Sequence, residues 1–384
     1  MCILKSYSAF ETQSPQQDAK QSNKNRVYQS VYHSEAISKQ EIAYNLQMSL
    51  PTVSNNVKEL IEQGLIREEG HFDSTGGRKA TCLVTVGDVK VALGLEITLH
   101  YINLVVIDMH GHILHHKRTY EKFCFDRQYL SWLGEKVKSF VIESGIPQNR
   151  ILGCGVALPG LIDNENNTVN SHVLEPKVFS LAVLESAISY PCLFVNDAHA
   201  ACMAELRGAE QQQLTVYLAI SDSIGSSVFV NGHPYLGAYS LSSGWTHTIL
   251  YPGGRQCYCG KKGCVEAYCS AWTLAKECNG VLDDYFIQLE KDPNLMRIWE
   301  KYLEDLALLI NNIYLALGCT IIVGGFIGGY FDDYYLSQLL EKVIQNRFDG
   351  DTRFLKVCKK LSKAAALGAA LAHVDRYINT IGKA

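Results

Sequence analysis

Apolar positions recur along this chain with two different periods, and the change of period divides it. From Asn23, "NKNRVYQSVYHSEAISKQEIAYNLQMSLPTVSNNVKELIEQGLIREEG" repeats every three to four residues, the helical spacing. Three helices are predicted. The first carries Val27 and Val31 on one face. The second opens at Ser38 with Glu41 three residues on, a capping box, and turns Ile42, Ala43 and Leu46 inward. The third opens near Ser49 with Pro51 in its first turn, where a missing N–H costs little. It buries Val53, Val57, Leu60 and Ile61 and ends at Gly64. Beyond it, "LIREEG" and "KATCLVTV" read as strands around the turn "HFDSTGGRK". Residues 1–22 are rich in Gln, Ser and Asn, and a loose arm is expected there.

From about residue 87 strand patterns alternate with helices. "VALGLEITLHYINLVVIDMHGHILHHKRTY" reads as successive strands, and a helix is predicted near 128–144. "ILGCGVALPG" is a buried strand, "CLFVNDAHAACMAELRG" a strand entering a helix, and "TVYLAISDSIGSSVFVNGHPYLG" a hairpin. Long helices are expected over about 266–317, then the strand "TIIVGGFIGG" and a closing helix in "SKAAALGAALAHVDRYI". The mixture predicts an α/β region of two lobes with a cleft between them.

Two short helices joined by the tight "QMS" turn make a helix-turn-helix, and the strands after them a wing. The third helix would lie in a major groove. Ser49 at its start, with Thr52, Ser54, Asn55, Asn56 and Lys58 on its outward side, offers polar groups to base edges and phosphates. At the wing tip Gly76 and Gly77 allow close approach, so that Arg78 and Lys79 could reach a narrow minor groove. A three-helix dimerisation or docking domain is the competing reading, because residues 1–86 hold nine Lys+Arg and nine Asp+Glu. The whole chain carries a net charge of only −4, which suggests neither a membrane surface nor a basic tail. No secretion signal or spanning helix is recognisable, so a cytoplasmic location is expected.

Most of the thirteen cysteines stand alone in apolar settings and read as small core residues kept reduced. "CYCGKKGC" differs: Cys257, Cys259 and Cys264 crowd a polar, glycine-bearing loop. Three such thiols suit a metal, a redox site or a chance surface loop.

The order of motifs resembles the ROK family, which groups sugar kinases with sugar-responsive repressors. Four stretches carry it: "GVALPGLID", "VNDAHAA", "GWTHTILYPGGRQCYCGKKGCVEAY" and "IIVGG". The winged helix-turn-helix ending in "STGGRK" is similar to that of the repressor branch. The resemblance covers nearly all of residues 23–384 and implies three units. These are the arm (1–22), a DNA-binding domain (23–86), and a sensing domain (87–384) with an actin-like, ribonuclease-H-like sugar-kinase fold and a metal loop over 247–266. It adds His247 to the three cysteines, a Cys3His set that would close around structural zinc. It further implies sugar contacts from Asn196, Asp197, His247 and Glu266, with Gly160 letting the backbone approach the ring. A helix cap is the plainer reading of Asn196 and Asp197. Where the family has a further Glu, this chain has Gly244 in "SGWTH".

The two phosphate loops depart further. The kinases have Asp-x-Gly-Gly-Thr where this chain reads "EITLH", Glu96 to His100, and Gly-Thr-Gly-Ile-Gly where it reads "SDSIG", Ser221 to Gly225. Side chains would fill the phosphate space, and Asp222 would oppose a polyphosphate. Asp197 keeps the general-base position, which does no transfer without a donor. The expected function is a catalytically silent, sugar- or sugar-phosphate-responsive repressor, a homodimer or homotetramer on a palindromic operator. An ATP-dependent sugar kinase is the first alternative. Control by a protein partner in place of free sugar is the second.

Overall fold

The computed structural model describes all of the chain except residues 1–14, 73–79, 176, 209–212, 238–243, 348–349, 359–362 and 383–384. Its first elements are the predicted helices, α1 (Pro15–Tyr32), α2 (Lys39–Leu46) and α3 (Leu50–Glu62), and the antiparallel wing β1 (Ile66–His71) and β2 (Thr81–Thr85). The local signals act as read. Ser38 Oγ accepts from the Glu41 amide at 3.2 Å while Glu41 returns a bond to the Ser38 amide at 2.8 Å. Ser49 caps α3 by accepting from the Thr52 amide at 3.3 Å. Gln47, at φ 53°, ends α2 left-handed and makes the tight turn.

Three expectations need correction. Helix α1 reaches back to Pro15, into the stretch read as a loose arm; Pro suits a first turn and Gln, Ala and Lys continue a helix well. Ile61 is 37% exposed, whereas Val53, Val57 and Leu60 are fully buried: Ile61 lies in the last turn, at the edge of the stripe. The region 266–317 is not filled by long helices. It holds the single-turn helices α7 (Glu266–Cys269) and α8 (Trp272–Ala275), then α9 (Leu282–Leu289) and one long helix. Asn279 at φ 55° and Gly280 at φ 84° interrupt the run, and Asp292 caps a new helix beginning at Pro293.

The remainder is one topology used twice. The first lobe has β3 (Val91–Ile97), β4 (Tyr101–Asp108), β5 (Ile113–Tyr120), α4 (Arg127–Ser144), β6 (Ile151–Leu158), the small meander β7 (Leu161–Asp163), β8 (Thr168–Ser171) and β9 (Lys177–Ser180), then α5 (Leu181–Ala187), β10 (Cys192–Asn196) and α6 (Asp197–Leu206). The second has β11 (Leu214–Ile220), β12 (Ile224–Val230), β13 (His233–Pro234), α7 to α9, α10 (Pro293–Leu317), β14 (Thr320–Gly324), α11 (Gly325–Gly328), α12 (Asp333–Gln345) and β15 (Leu355–Val357). Helix α13 (Ala364–Thr380) follows. The first sheet runs β5-β4-β3-β6-β10 and the second β13-β12-β11-β14-β15. In each, an antiparallel meander is followed by two parallel strands. The two sheets therefore share a strand order, and their hairpin tips and parallel-strand ends face a common cleft.

Helix α13 is the hub. Its "AAALGAALA" face is almost all small because backbones come very close there. A Cβ on Gly368 would sit 1.6 Å from the Ala200 carbonyl of α6, and Cβ atoms on Gly94 and Gly155 would strike the carbonyls of Ala366 and Ala369. The other end of α13 receives α1: Asn25 Nδ2 donates to the Ile378 carbonyl at 2.6 Å, and Gln29 Nε2 donates to Asn379 Oδ1 at 3.3 Å. The apolar core runs without a break from Val27, Val31 and Leu60 to Leu371, Val374 and Ile378. Among the described residues, no helix is long and apolar enough to cross a membrane.

Candidate functional site

The cysteine loop closes on His247. A short 3-10 turn, Gly244–His247, delivers the imidazole, and bridges at Ile249–Cys264 and Gln256–Lys262 fold the loop back on itself. Gly260 and Gly263 both take φ 87°, and a Cβ on Gly263 would lie 1.9 Å from the Tyr251 carbonyl. One donor atom from each of His247, Cys257, Cys259 and Cys264 lies within 4.8 Å of every other. Cys257 Sγ is 3.7 Å from His247 Nδ1, and Cys259 Sγ is 3.7 Å from Cys264 Sγ. A tetrahedron with Zn–S bonds of about 2.3 Å has edges of about 3.8 Å, so the donors fit a metal ion of that size.

His247 links this cluster to the cleft. Its Nδ1 faces the thiols, and its Nε2 lies 3.4 Å from the Tyr258 hydroxyl. Beyond Tyr258 is a cavity of about 320 Å³, lined by Gly160, Asn196, Asp197, Ser223, Thr246 and His247 among others. Four of the five predicted sugar contacts thus line one cavity. Glu266 begins α7, is 5% exposed, and lines an adjoining cavity of about 740 Å³; its Oε2 accepts from the amide of Ile224, which lines the first. His172, Val173, Ser223 and Tyr258 belong to both.

The polar groups here are partly committed. Asn196 is the N-cap of α6: its Oδ1 accepts from the His199 amide at 3.0 Å, and its Nδ2 donates to the Gly160 carbonyl at 3.0 Å. The plainer cap reading therefore holds for Asn196, which keeps one N–H for a ligand. Asp197 Oδ1 accepts from the Ala198 amide at 2.8 Å, and burial raises its pKa to about 6. Glu266 Oε2 accepts from the Ile224 amide at 2.9 Å, and burial raises it to about 7. Gly160 also has a packing reason: at φ 125°, a Cβ there would stand 2.5 Å from the Asn170 carbonyl of β8, so the missing side chain makes room for the meander on the wall of this cavity.

On the face expected to meet DNA, Ser49, Asn55 and Lys58 are exposed and Thr52 and Ser54 half-buried. Asn56 is a correction: it is 4% exposed, and its Nδ2 donates to the Thr52 carbonyl at 2.8 Å, so it packs inside the head. Arg78 and Lys79 lie outside the described residues. Sequence reasoning missed Tyr44, which is 83% exposed on α2; a large aromatic at a polar position of a short helix was the available signal.

The sequence model of the ROK family matches residues 92–375. The chain belongs to the ROK family. It is 25% identical over 380 residues to a protein named xylose repressor from Caldicellulosiruptor bescii, across 91% of this chain and 94% of that one. It is also 25% identical over 257 residues to the N-acetylglucosamine repressor of Escherichia coli O157:H7, across 64% of this chain and 62% of that one. A solved structure described as a ROK family transcriptional regulator, homolog of the E. coli MLC protein, superposes with a TM-score of 0.74 at 18% identity, over 95% of this chain and all of that one. A ROK hexokinase from Thermus thermophilus superposes with a TM-score of 0.60 at 22% identity, over 75% of this chain and 99% of that one.

Within the ROK fold, the stretches Glu96–His100 and Ser221–Gly225 approach each other across the cleft. His100 Nε2 meets Asp222 Oδ2 at 3.8 Å, joining one loop to the other across the cleft. Behind them the Tyr101 and Phe326 rings pack at 5.8 Å. The cavity bounded by Glu96, Tyr101, Asp197, Ser221 and Phe326 measures only about 40 Å³. Glu96 accepts from Asn103 Nδ2 at 2.6 Å, and burial raises it to about 7.

Proposed function

We propose that this protein is a sugar-responsive transcriptional regulator, a repressor of carbohydrate-utilisation genes acting in the cytoplasm. The observation that carries the reading is the combination in one chain. A winged helix-turn-helix shares its core with a ROK domain whose cleft holds a cavity of about 320 Å³ at Asn196, Asp197 and His247 and one of only about 40 Å³ at Glu96 and Ser221. The named functions of the relatives point the same way. The head would bind a palindromic operator as part of a symmetric oligomer, through Ser49, Thr52, Ser54, Asn55 and Lys58 on α3 and Arg78 and Lys79 on the wing.

Asp197, His247, Glu266 and the remaining N–H of Asn196 would hold sugar hydroxyls, with Gly160 on the cavity wall. His247, Cys257, Cys259 and Cys264 would hold structural zinc. The ion would clamp the loop that carries His247 and Tyr258 to the start of α7, and its four protein ligands leave no position open for water. Phosphoryl transfer requires space for the donor's phosphates and a metal-holding carboxylate, and a cavity of about 40 Å³ offers too little room. The domain is therefore read as a sensor without kinase activity. Sugar acts by binding one global arrangement of lobes and heads more tightly than another.

The test is thermal melting of the full-length protein against a panel of sugars and sugar phosphates, each with and without Mg-ATP, on protein assayed for bound zinc. One sugar raising the midpoint, with no further rise from ATP, is expected. Stabilisation by ATP would overturn the silent-sensor reading, and protein folded without zinc would remove the metal.

A further inference from the structure

A cavity of about 390 Å³ has walls from the second lobe alone. It lies between the α8 segment and the face of α10 that carries Arg297, Lys301 and Asp305. It shares no lining residue with the cavity at Asn196, Asp197 and His247. It meets the larger cavity at Glu266 only through Arg255, Thr273 and Lys276. None of the five sugar contacts read above lines it. Its volume falls at the low end of the range for small-molecule sites.

The charges of the lining do not balance. Arg255, Lys276, Arg297 and Lys301 face it against two carboxylates, Glu277 and Asp305, so four cations less two anions leave a surplus of two. Both carboxylates are already engaged by lysines. Lys301 reaches Asp305 at 2.9 Å, and Lys276 lies 3.8 Å from Glu277. The two guanidiniums have only neutral partners among the described residues. Arg297 donates to Asn294 Oδ1 at 3.0 Å. Arg255 donates to the Ala267 carbonyl at 3.3 Å and lies over the Tyr268 ring. Each of those bonds uses one of a guanidinium's five N–H donors. The floor is apolar. Leu274, Tyr268 and Tyr302 are buried, and both phenol hydroxyls are spent on backbone: one accepts from the Arg255 amide and the other donates to the Cys269 carbonyl, each at 2.7 Å. Two guanidinium forks over an apolar floor suit an oxyanion carried on a small carbon skeleton. A phosphate monoester, at about −1.5 to −2 near pH 7, matches the surplus.

We propose that this cavity is a second effector site, which holds a small phosphorylated metabolite by its phosphate monoester between Arg255 and Arg297, apart from the sugar contacts. The inference goes beyond the sugar-sensor reading and does not depend on it. Arg255 stands two residues before Cys257 in the cysteine loop. Its backbone is fixed there, the amide on the Tyr268 hydroxyl and the carbonyl on the Gly263 amide at 2.8 Å. Arg297 stands on α10. An anion held by both would join the cysteine loop to the long helix. The site is therefore placed to report a second metabolite to the loop that carries Tyr258 to the cleft.

Calorimetry on the full-length protein at fixed ionic strength tests it with four probes: glycerol 3-phosphate, ribose 5-phosphate, glucose 6-phosphate and inorganic phosphate. One monoester is expected to bind about tenfold more tightly than inorganic phosphate, because the floor covers its carbon skeleton. Arg297→Gln should weaken that binding about tenfold or more. Arg297→Lys should weaken it less, since the charge stays while the fork is lost. Glu277→Gln should tighten it about threefold by removing a like charge from the cavity, a gain that damage to the fold does not produce. Asp197→Asn, in the cleft, should leave the monoester bound. Monoesters that bind no better than inorganic phosphate, or wild-type affinity in Arg297→Gln, would overturn the site. Loss of the monoester in Asp197→Asn would overturn it too, by putting the phosphate in the cleft. A protein that holds a monoester at Arg297 and no free sugar would keep this site and lose the sugar-sensor reading.

Discussion

Glu96 shows what burial does to a single carboxylate. It stands near the end of β3, beside a cavity of about 40 Å³. Burial lifts its pKa from 4.5 to about 7 against the opposing hydrogen bond from Asn103, and Asp197 adds to the lift. An acid raised in this way holds its proton longer in the folded state than in the unfolded chain. Its contribution is neutral below the unfolded value, turns unfavourable as pH rises from there to about 7, and levels off above that. Gln cannot ionise but can still accept from Asn103. Glu96→Gln should therefore stabilise the protein at about pH 8, by at most ~3 kcal/mol, and change nothing at about pH 4. Urea unfolding at the two pH values checks this, and equal stability at the higher one would mean that Glu96 ionises there without cost.

At the scale of elements, α13 shows why a helix can be rich in small residues without being weakly packed. Its glycine and alanines are the condition for β3, β6 and α6 to approach its backbone. Gly368→Ala would force a methyl group into the Ala200 carbonyl, at a contact of 1.6 Å if nothing moved. Overpacking of this kind costs about 1–3 kcal/mol or more, although Ala is the better helix former. Denaturant unfolding should show the loss, and a neutral or stabilised variant would mean that α6 and α13 can separate freely.

For the whole molecule, α13 is also the place where head and lobes meet. Arg207, the C-cap of α6, pairs with Asp375 of α13 at 2.8 Å and donates to the Tyr32 hydroxyl of α1. Tyr32 in turn donates to the Met109 carbonyl at 2.6 Å and stacks on His110 at 5.7 Å. One guanidinium therefore ties three elements that must shift together if lobe closure is to move the DNA-binding head. Position between two sites does not demonstrate coupling, so the test measures coupling itself. In Arg207→Ala, operator affinity and sugar affinity taken separately should stay near wild type. The factor by which sugar weakens operator binding, typically 5- to 150-fold in coupled systems, should fall toward one. An unchanged factor would place the transmission elsewhere.

The local features were legible in the residues alone: the capping box at Ser38, the Ser49 cap, the helix-turn-helix and the crowding of Cys257, Cys259 and Cys264, while His247 as their partner came from the family resemblance. Each depends on hydrogen bonds or ligand distances spanning a few residues, or on motif order along the chain. Only the tertiary structure decided what distant segments do to one another. It turned Asn56 inward and left Ile61 at the solvent edge. It set Gly160 against β8, bonded Glu266 to the Ile224 amide, and packed the rings of Tyr101 and Phe326, which are far apart in the chain. It also joined Tyr32, Arg207 and Asp375 into one contact. Burial and pairing of this kind depend on which surfaces two lobes and a DNA-binding head present to each other, and local periodicity carries no record of that.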